Sequence, residues 1–290
     1  MRRVLIVGTG LIGASVGLAL KAAGFPGTVL GWDANAAELA EAKRLGAVDE
    51  ALASRDEVLA AGADVTVLAT PVLAIMDWMQ RLAPGLAEGQ LVTDVGSTKR
   101  DICLLAQGLY NGPGQARFLP GHPMAGKESG GAALAEAGLF AGATWLFTPA
   151  AEKTAVEVAW MEQVASFGAV VRQMDFARHD EVLAWVSHLP QMVSTALAAL
   201  LEDEFSADFG GVGAIQGIGG RALRETTRLG ASPYSMWRDV AMTNTEALSL
   251  SLLGLEQRLA HMRENLRTPE LREEFARANR FRRTLDPKAS

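Results

Sequence analysis

The chain begins with a short apolar run that breaks on a glycine pattern, Arg3-Val-Leu-Ile-Val-Gly8-Thr9-Gly10-Leu11-Ile12-Gly13. Few folds accommodate this combination. The β-branched run reads as a buried strand and the apolar spacing after Gly10 as a helix, so the glycines occupy a strand-to-helix turn. Each position asks for glycine for its own reason. Gly8 permits the tight turn, Gly10 lets a pyrophosphate approach backbone without a Cβ, and Gly13 lets helix pack closely on strand. Free N–H groups at the helix start, Leu11 and Ile12, then face the phosphates.

Asp33 follows a second strand, Thr28–Trp32, about 20 residues past the last glycine, as the dinucleotide fingerprint requires. A carboxylate there accepts both hydroxyls of a ribose and repels a 2′-phosphate, which favours NAD over NADP. The alternative for Asp33 is to cap the helix that starts at Ala34. Thr70 and Pro71 end the strand Val65–Ala69 on the carboxyl edge of the sheet, where open α/β sheets bind ligands, and are expected to line the same cofactor.

Up to residue 174 short β-branched runs alternate with helix-length segments. Strands are expected at Val4–Val7, Thr28–Trp32, Val65–Ala69, Leu91–Thr93, Thr144–Thr148 and Ala169–Arg172, with helices between them. From about Asp175 only helical spacing remains, over His179–Glu204, Gly213–Arg228, Tyr234–Arg267 and Pro269–Arg282. The expected fold is an α/β Rossmann domain over 1–174 followed by an all-helical domain over 175–290. Within the first long helix, Val182–Leu201 is apolar around most of its circumference, so one packed face does not cover it and a homodimer is expected. Ser187, His188, Pro190, Gln191, Ser194 and Thr195 make it too polar for an ordinary membrane span.

Of 290 residues, 27 are Lys or Arg and 33 Asp or Glu, for a net charge of −6. Such a balance offers no footprint for nucleic acid. The single cysteine, Cys103, forms no intrachain disulfide, and Met1-Arg2-Arg3 runs straight into a strand instead of a signal peptide. A cytoplasmic location is therefore expected. No metal is expected either.

Three polar clusters carry the chemistry. In Asp94-Val-Gly-Ser97-Thr-Lys99, Ser97 either caps the next helix, the heavier reading, or bonds a ligand hydroxyl. In the glycine-dense Gly121-His122-Pro-Met-Ala-Gly-Lys-Glu128-Ser-Gly-Gly, His122 is the leading general base, weighed evenly against a structural histidine. In the helical half, His188 and Arg228 sit in apolar helices, with Trp237 just downstream. Arg228 either pairs with Glu225 or Asp239 or gives bidentate recognition of a carboxylate.

Taken in order, Gly8–Gly13, Gly31–Asp33, Asp94–Lys99, Gly121–Gly130, Ser187–Pro190 and Thr227–Asp239 resemble the prephenate and arogenate dehydrogenase family over most of the chain. The resemblance implies NAD-dependent oxidative decarboxylation of prephenate, with arogenate as the alternative substrate. It makes His122 the catalytic residue and Ser97 its companion on the substrate hydroxyl. Arg228 would hold the side-chain carboxylate, His188 would line the substrate pocket, Glu128 would sit at its mouth and Trp237 close by. Two departures, Leu223-Arg224-Glu225-Thr226 before Arg228 and Gln191 after Pro190, bear on prephenate against arogenate. No chorismate-mutase helix or C-terminal regulatory domain is expected. The second half lacks the catalytic lysine of hydroxyisobutyrate and 6-phosphogluconate dehydrogenases, and the histidine loop argues against an NAD(H)-binding sensor without turnover.

Overall fold

Alternate side chains of a strand face opposite sides of its sheet, and in β1 (Arg3–Val7) both sides are apolar, as a central parallel strand requires. The structure is a computed structural model that describes residues 1–127, 129–150, 152–206 and 212–285. After β1 come α1 (Leu11–Ala22), β2 (Thr28–Trp32), α2 (Ala36–Arg44), β3 (Glu50–Ala51), α3 (Arg55–Leu59) and β4 (Val65–Leu68). The unit is completed by α4 (Val72–Leu82), β5 (Leu91–Asp94), α5 (Arg100–Leu109) and β6 (Arg117–Leu119). All six strands are parallel, in the order β3-β2-β1-β4-β5-β6. This is the doubly wound Rossmann order, with its switch point between β1 and β4. Val4 and Ile6 enter one core with Val16 and Leu20 of α1, while Leu5 and Val7 enter the other with Trp78 and Met79 of α4.

A second sheet follows, built from β7 (Gly121–Pro123), β8 (Thr144–Phe147) and β9 (Val170–Gln173), with α6 (Ala155–Ser166) between the last two. β7 runs antiparallel to β8, and β9 parallel to it. Trp145 and Phe147 of β8 and Trp160 of α6 extend the core on the α1 side of the main sheet. Strands β3, β6 and β7 were not expected, because two or three residues carry no periodic signal and prolines flank or interrupt the last two. Pro123 is tolerated because β7 is an edge strand.

From Phe176 the chain is helical: α7 (Phe176–Leu183), a π-helical turn (Ala184–His188), α8 (Leu189–Phe205), α9 (Val212–Thr227), a 3₁₀ turn (Arg228–Ala231), α10 (Tyr234–Thr243), α11 (Thr245–Glu264) and α12 (Pro269–Leu285). Three helices expected to be continuous are interrupted, the one over Gly213–Arg228 by a kink at Gly220, where φ is +57° and ψ −147°. The π turn lies just ahead of Pro190, which has no N–H to give to the preceding turn. The helix expected over Tyr234–Arg267 breaks at Asn244, whose φ of −133° and ψ of 35° leave the helical region.

By compactness the chain divides into Met1–Thr245 and Glu246–Ser290. Residues 175–245 join the first unit through polar links. Asp239 accepts the Leu73 N–H at the start of α4, and Thr98 and Thr243 share a hydrogen bond of 2.7 Å. In the second unit Arg258 pairs with Glu274 at 2.8 Å, tying α11 to α12.

Among the described residues, Phe176–Phe205 is the one helical run long and apolar enough to cross a membrane by length and composition. Its burial is inverted. His179, Asp180, His188, Gln191 and Ser194 are buried, whereas Trp185, Val186, Val193 and Leu200 are exposed. Gln191 and Ser194 bond the Leu229–Gly230 turn, His179 and Asp180 enter a buried cluster, and the apolar side is exposed among the described residues.

Candidate active site

The turn after β1 is fixed by close backbone approach. Gly8 has φ +94°, and a Cβ on it would lie 2.5 Å from the carbonyl oxygen of Ala69, at the end of β4. A Cβ on Gly13 would lie 1.9 Å from the Gly8 oxygen, so α1 seats against the turn only without a side chain there. At Gly10 a Cβ would meet nothing within 4 Å, and no side chain caps α1. Asp33 sits past β2 with one oxygen accepting the Thr9 N–H at 2.7 Å and the other the Asn35 N–H at 2.8 Å. Asn35, not Asp33, caps α2. Thr70 Oγ1 is buried without a partner among the described residues. Uncapped helix N–H groups, open space over Gly10, a carboxylate at the end of β2 and an orphan hydroxyl at β4 together suit a dinucleotide.

A cavity of about 370 Å³ opens from this turn. Gly10, Leu11 and Ile12 form one side, and Thr70 and Pro71 another. Ser97 faces it from the loop after β5 and His122 from the middle of β7, and Pro233 and Met236 from the helical part. Gly8 and Gly13 lie beneath the turn rather than on the wall. His188, Trp237 and Arg228 are not on it, and Glu128 lies outside the described residues. The cap assigned to Ser97 falls elsewhere: the Lys99 and Arg100 N–H groups at the start of α5 both donate to the Asp180 carboxylate at 2.8 Å.

Asp180 belongs to a buried cluster. Asp175 caps α7 by accepting the Ala177 and Arg178 N–H groups, which turns His179 and Asp180 inward. His122 Nδ1 lies 3.0 Å from His179 Nε2, and His179 Nδ1 lies 2.7 Å from Asp180 Oδ1. Behind them Lys99 and Asp94 form an ion pair with neither side chain exposed. Asp94 also accepts the Gly96 and Gly121 N–H groups, fixing the backbone beside His122. Burial, then the neighbouring His179, Lys99 and His188, hold the His122 pKa well below the ordinary imidazole value. Burial also lowers His179, against the opposing bond to Asp180, and brings His188 down to about 4.

Asn244 explains its break in the helix. Its amide donates to the Asp180 carbonyl at 2.8 Å and lies 3.2 Å from His188 Nδ1. Among the described residues His188 Nε2 and Trp237 Nε1 are both buried without partners, and the two rings meet edge to face with centroids 5.9 Å apart. Arg228 opens the 3₁₀ turn and is exposed. Of the two carboxylates considered for it, Glu225 pairs with Arg221 and Asp239 with Arg238. Gln191, a departure from the family pattern, is buried and donates to the Leu229 carbonyl at 2.7 Å, tying α8 to that turn. Sequence reasoning missed His179, Asp180 and Asn244. The one available signal was an adjacent His–Asp pair in the first turns of an Asp-capped helix.

Two family models match the chain: the prephenate dehydrogenase nucleotide-binding domain over residues 16–172 and the prephenate dehydrogenase dimerization domain over 175–281. The chain belongs to the prephenate dehydrogenase family. It is an NAD-dependent oxidoreductase with a Rossmann N-terminal domain and a helical C-terminal domain. The first match begins past Gly13, so the glycine turn lies outside it. Prephenate dehydrogenase of Lactococcus lactis subsp. cremoris is 30% identical over 91% of this chain and 70% of its own length. That of Bacillus subtilis is 32% identical over 84% of this chain and 65% of its own, slightly under two thirds. Among solved structures, Aquifex aeolicus prephenate dehydrogenase in complex with hydroxyphenyl propionate and NAD+ matches with a TM-score of 0.83 at 30% identity, covering 99% of this chain and 97% of that one. Synechocystis arogenate dehydrogenase matches with a TM-score of 0.76 at 30% identity, covering 98% and 99%.

Proposed function

We propose that this chain oxidatively decarboxylates prephenate to 4-hydroxyphenylpyruvate, a step of tyrosine biosynthesis. The observation that carries the reading is a histidine held neutral by burial, His122, on the wall of a cavity it shares with the glycine turn and Ser97. Bound NAD+ supplies the hydride acceptor. Gly8, Gly10, Leu11, Ile12, Gly13, Asp33, Thr70 and Pro71 would hold it. His122 takes the proton of the ring hydroxyl as that oxygen gains carbonyl character, and Ser97 gives the same oxygen a second hydrogen bond. Loss of the ring carboxylate as carbon dioxide aromatises the ring, so the chain's main task is orientation.

The orphan ring nitrogens of His188 and Trp237 support their assignment to the substrate. Glu128 is assigned to the mouth of the pocket on the family pattern. That pattern also gives the side-chain carboxylate to Arg228, while position on the cavity wall favours Lys127, which now bonds the Leu134 carbonyl and Glu136. Whichever residue raises KM more on replacement by alanine is the anchor.

The exposed apolar residues of the π turn and α8 support a homodimer through the helical domain, 175–290, leaving 1–174 to the cofactor. Residence in the cytoplasm, without nucleic acid or membrane partners, belongs to the same reading. The likeness to an arogenate dehydrogenase sustains arogenate as a second substrate. Purified protein mixed with NAD+ and prephenate should produce NADH absorbance, faster than with arogenate. The reverse order selects the arogenate reading. NAD+ binding with no NADH from either substrate selects a non-catalytic sensor.

A further inference from the structure

We infer that His179 and Asp180 are positioning residues that fix the tautomer of His122, leaving its Nε2 lone pair as the base toward the cavity. This rests on His122 being the base and specifies how it is kept ready. The reasoning starts at Asp180, whose carboxylate already accepts two backbone N–H groups at the start of α5. A carboxylate only accepts, so the 2.7 Å contact requires the proton of His179 on Nδ1. Neutral His179 then has a bare Nε2, and across 3.0 Å His122 must donate from Nδ1. With that nitrogen protonated, the lone pair of neutral His122 lies on Nε2. The other tautomer would set two lone pairs against each other at 3.0 Å.

Proton balance is simple. The hydroxyl proton arrives on His122 Nε2, the ring becomes an imidazolium, and its Nδ1–H stays donated to His179. Asp180 is the counter-charge at the end of the row. The other charged or titratable groups facing the row are Lys99 and Asp94, which pair with each other, the buried thiol of Cys103 on α5, and His188 from the π turn. Burial lowers the pKa of both histidines in the row, which keeps the two imidazoles neutral at rest. Three side chains from β7 and α7 are thus held against the α5 terminus in one alignment, and only its last atom, Nε2 of His122, remains uncommitted.

The test combines kinetics with ¹⁵N NMR of histidine-labelled enzyme bound to NAD+. Wild-type His122 should show the Nδ1–H tautomer. In His179→Phe, which keeps a ring and removes the acceptor, His122 should shift toward Nε2–H. There kcat should fall about 10²-fold while KM and NAD+ affinity change little. A purely structural His179 would alter melting temperature without moving the tautomer. Wild-type His122 found as Nε2–H overturns the inference, and this readout needs no variant to fold. Normal kcat in His179→Phe, alongside an inactive His122→Asn, also overturns it while sparing the base. Normal kcat in His122→Asn removes the base assignment itself.

Discussion

The cavity is bounded by two regions built on opposite principles. The glycine turn is a backbone site: its shape comes from residues that have no side chain, and its working groups are N–H groups at the end of one helix. The histidine cluster is a side-chain site, assembled from Asp94 of β5, Lys99 just ahead of α5, His122 of β7, His179 and Asp180 of α7, His188 of the π turn and Asn244 just past α10. The first is local in sequence and open, the second non-local and closed. A backbone site of this kind is organised by steric exclusion, whereas a buried polar cluster is organised by completing hydrogen bonds in a medium that penalises every unpaired group. The two regions should therefore fail differently when disturbed.

The largest expected difference is in turnover. His122→Asn keeps a hydrogen-bonding group and removes the proton acceptor, so kcat should drop by roughly 10²–10⁴ with KM nearly unchanged. NAD+ affinity, followed by fluorescence titration, should stay at the wild-type value because the glycine turn is untouched. A parallel loss of NAD+ binding would show that the two regions are one cooperative unit.

The cluster should also give the protein a pH dependence that the turn does not share. His122, His179 and His188 all have pKa values below 6.5 in the folded chain. The unfolded chain binds protons first as pH falls through about 6.5, so stability is complete above that value and declines below it. For His188, with a folded value of about 4, the loss by pH 4 is about 3 kcal/mol. Carboxylates with lowered values start to lose their contribution only below their ordinary values, 4.5 for Glu41 and Glu270 and 3.8 for Asp49 and Asp64, so the interval from about 6.5 to 4.5 belongs to the histidines. Urea midpoints measured from pH 7.5 to 4 should fall in this way. A flat profile over that interval would mean that the histidines charge freely in the folded state.

This contrast also explains what could be read from the residues alone. Gly8, Gly10, Gly13 and Asp33 stand in one local pattern whose spacing is imposed by the geometry of a single turn, so order along the chain was enough. His122 and Ser97 were found as exceptions, polar residues in glycine-rich ends of elements. His179 and Asp180 had no such mark, because a His–Asp pair on a helix has the same spelling at a solvated surface as in a buried row. Only the docking of α7 against the start of α5 separates the two cases. The cap expected of Ser97 went wrong for the same reason, since the acceptor for α5 comes from 80 residues away along the chain. Length hid β7 as well, although that three-residue strand fixes His122.

Steric exclusion makes its own prediction for the turn. With only 1.9 Å available between a new Cβ and the Gly8 oxygen, Gly13→Ala must push α1 off β1. The cost should be about 2 kcal/mol or more of stability, with weaker NAD+ binding. Melting temperature with and without NAD+ measures both. Gly10→Ala, where a Cβ meets open space, should leave the apo protein unchanged and weaken NAD+ alone. Equal melting of the two variants would remove the distinction between packing and ligand approach.

The smallest effect expected is at Asp33, where the two principles meet, because a side chain there organises backbone. Its carboxylate accepts from Thr9 in the turn and from Asn35 at the cap of α2, so it holds the loop besides the ribose contact proposed for it. Charge and loop order are separable. Asp33→Asn keeps one amide oxygen for those donors and removes the negative charge that repels a 2′-phosphate, whereas Asp33→Ala removes both. Wild type should prefer NAD+ over NADP+ by at least about tenfold in kcat/KM, roughly 1.4 kcal/mol. Asp33→Asn should narrow that preference chiefly by improving NADP+, while Asp33→Ala should weaken both cofactors because Thr9 loses its acceptor. If NADP+ is used equally well by the wild type, the carboxylate serves the loop alone, and this turn too would be organised by completed hydrogen bonds.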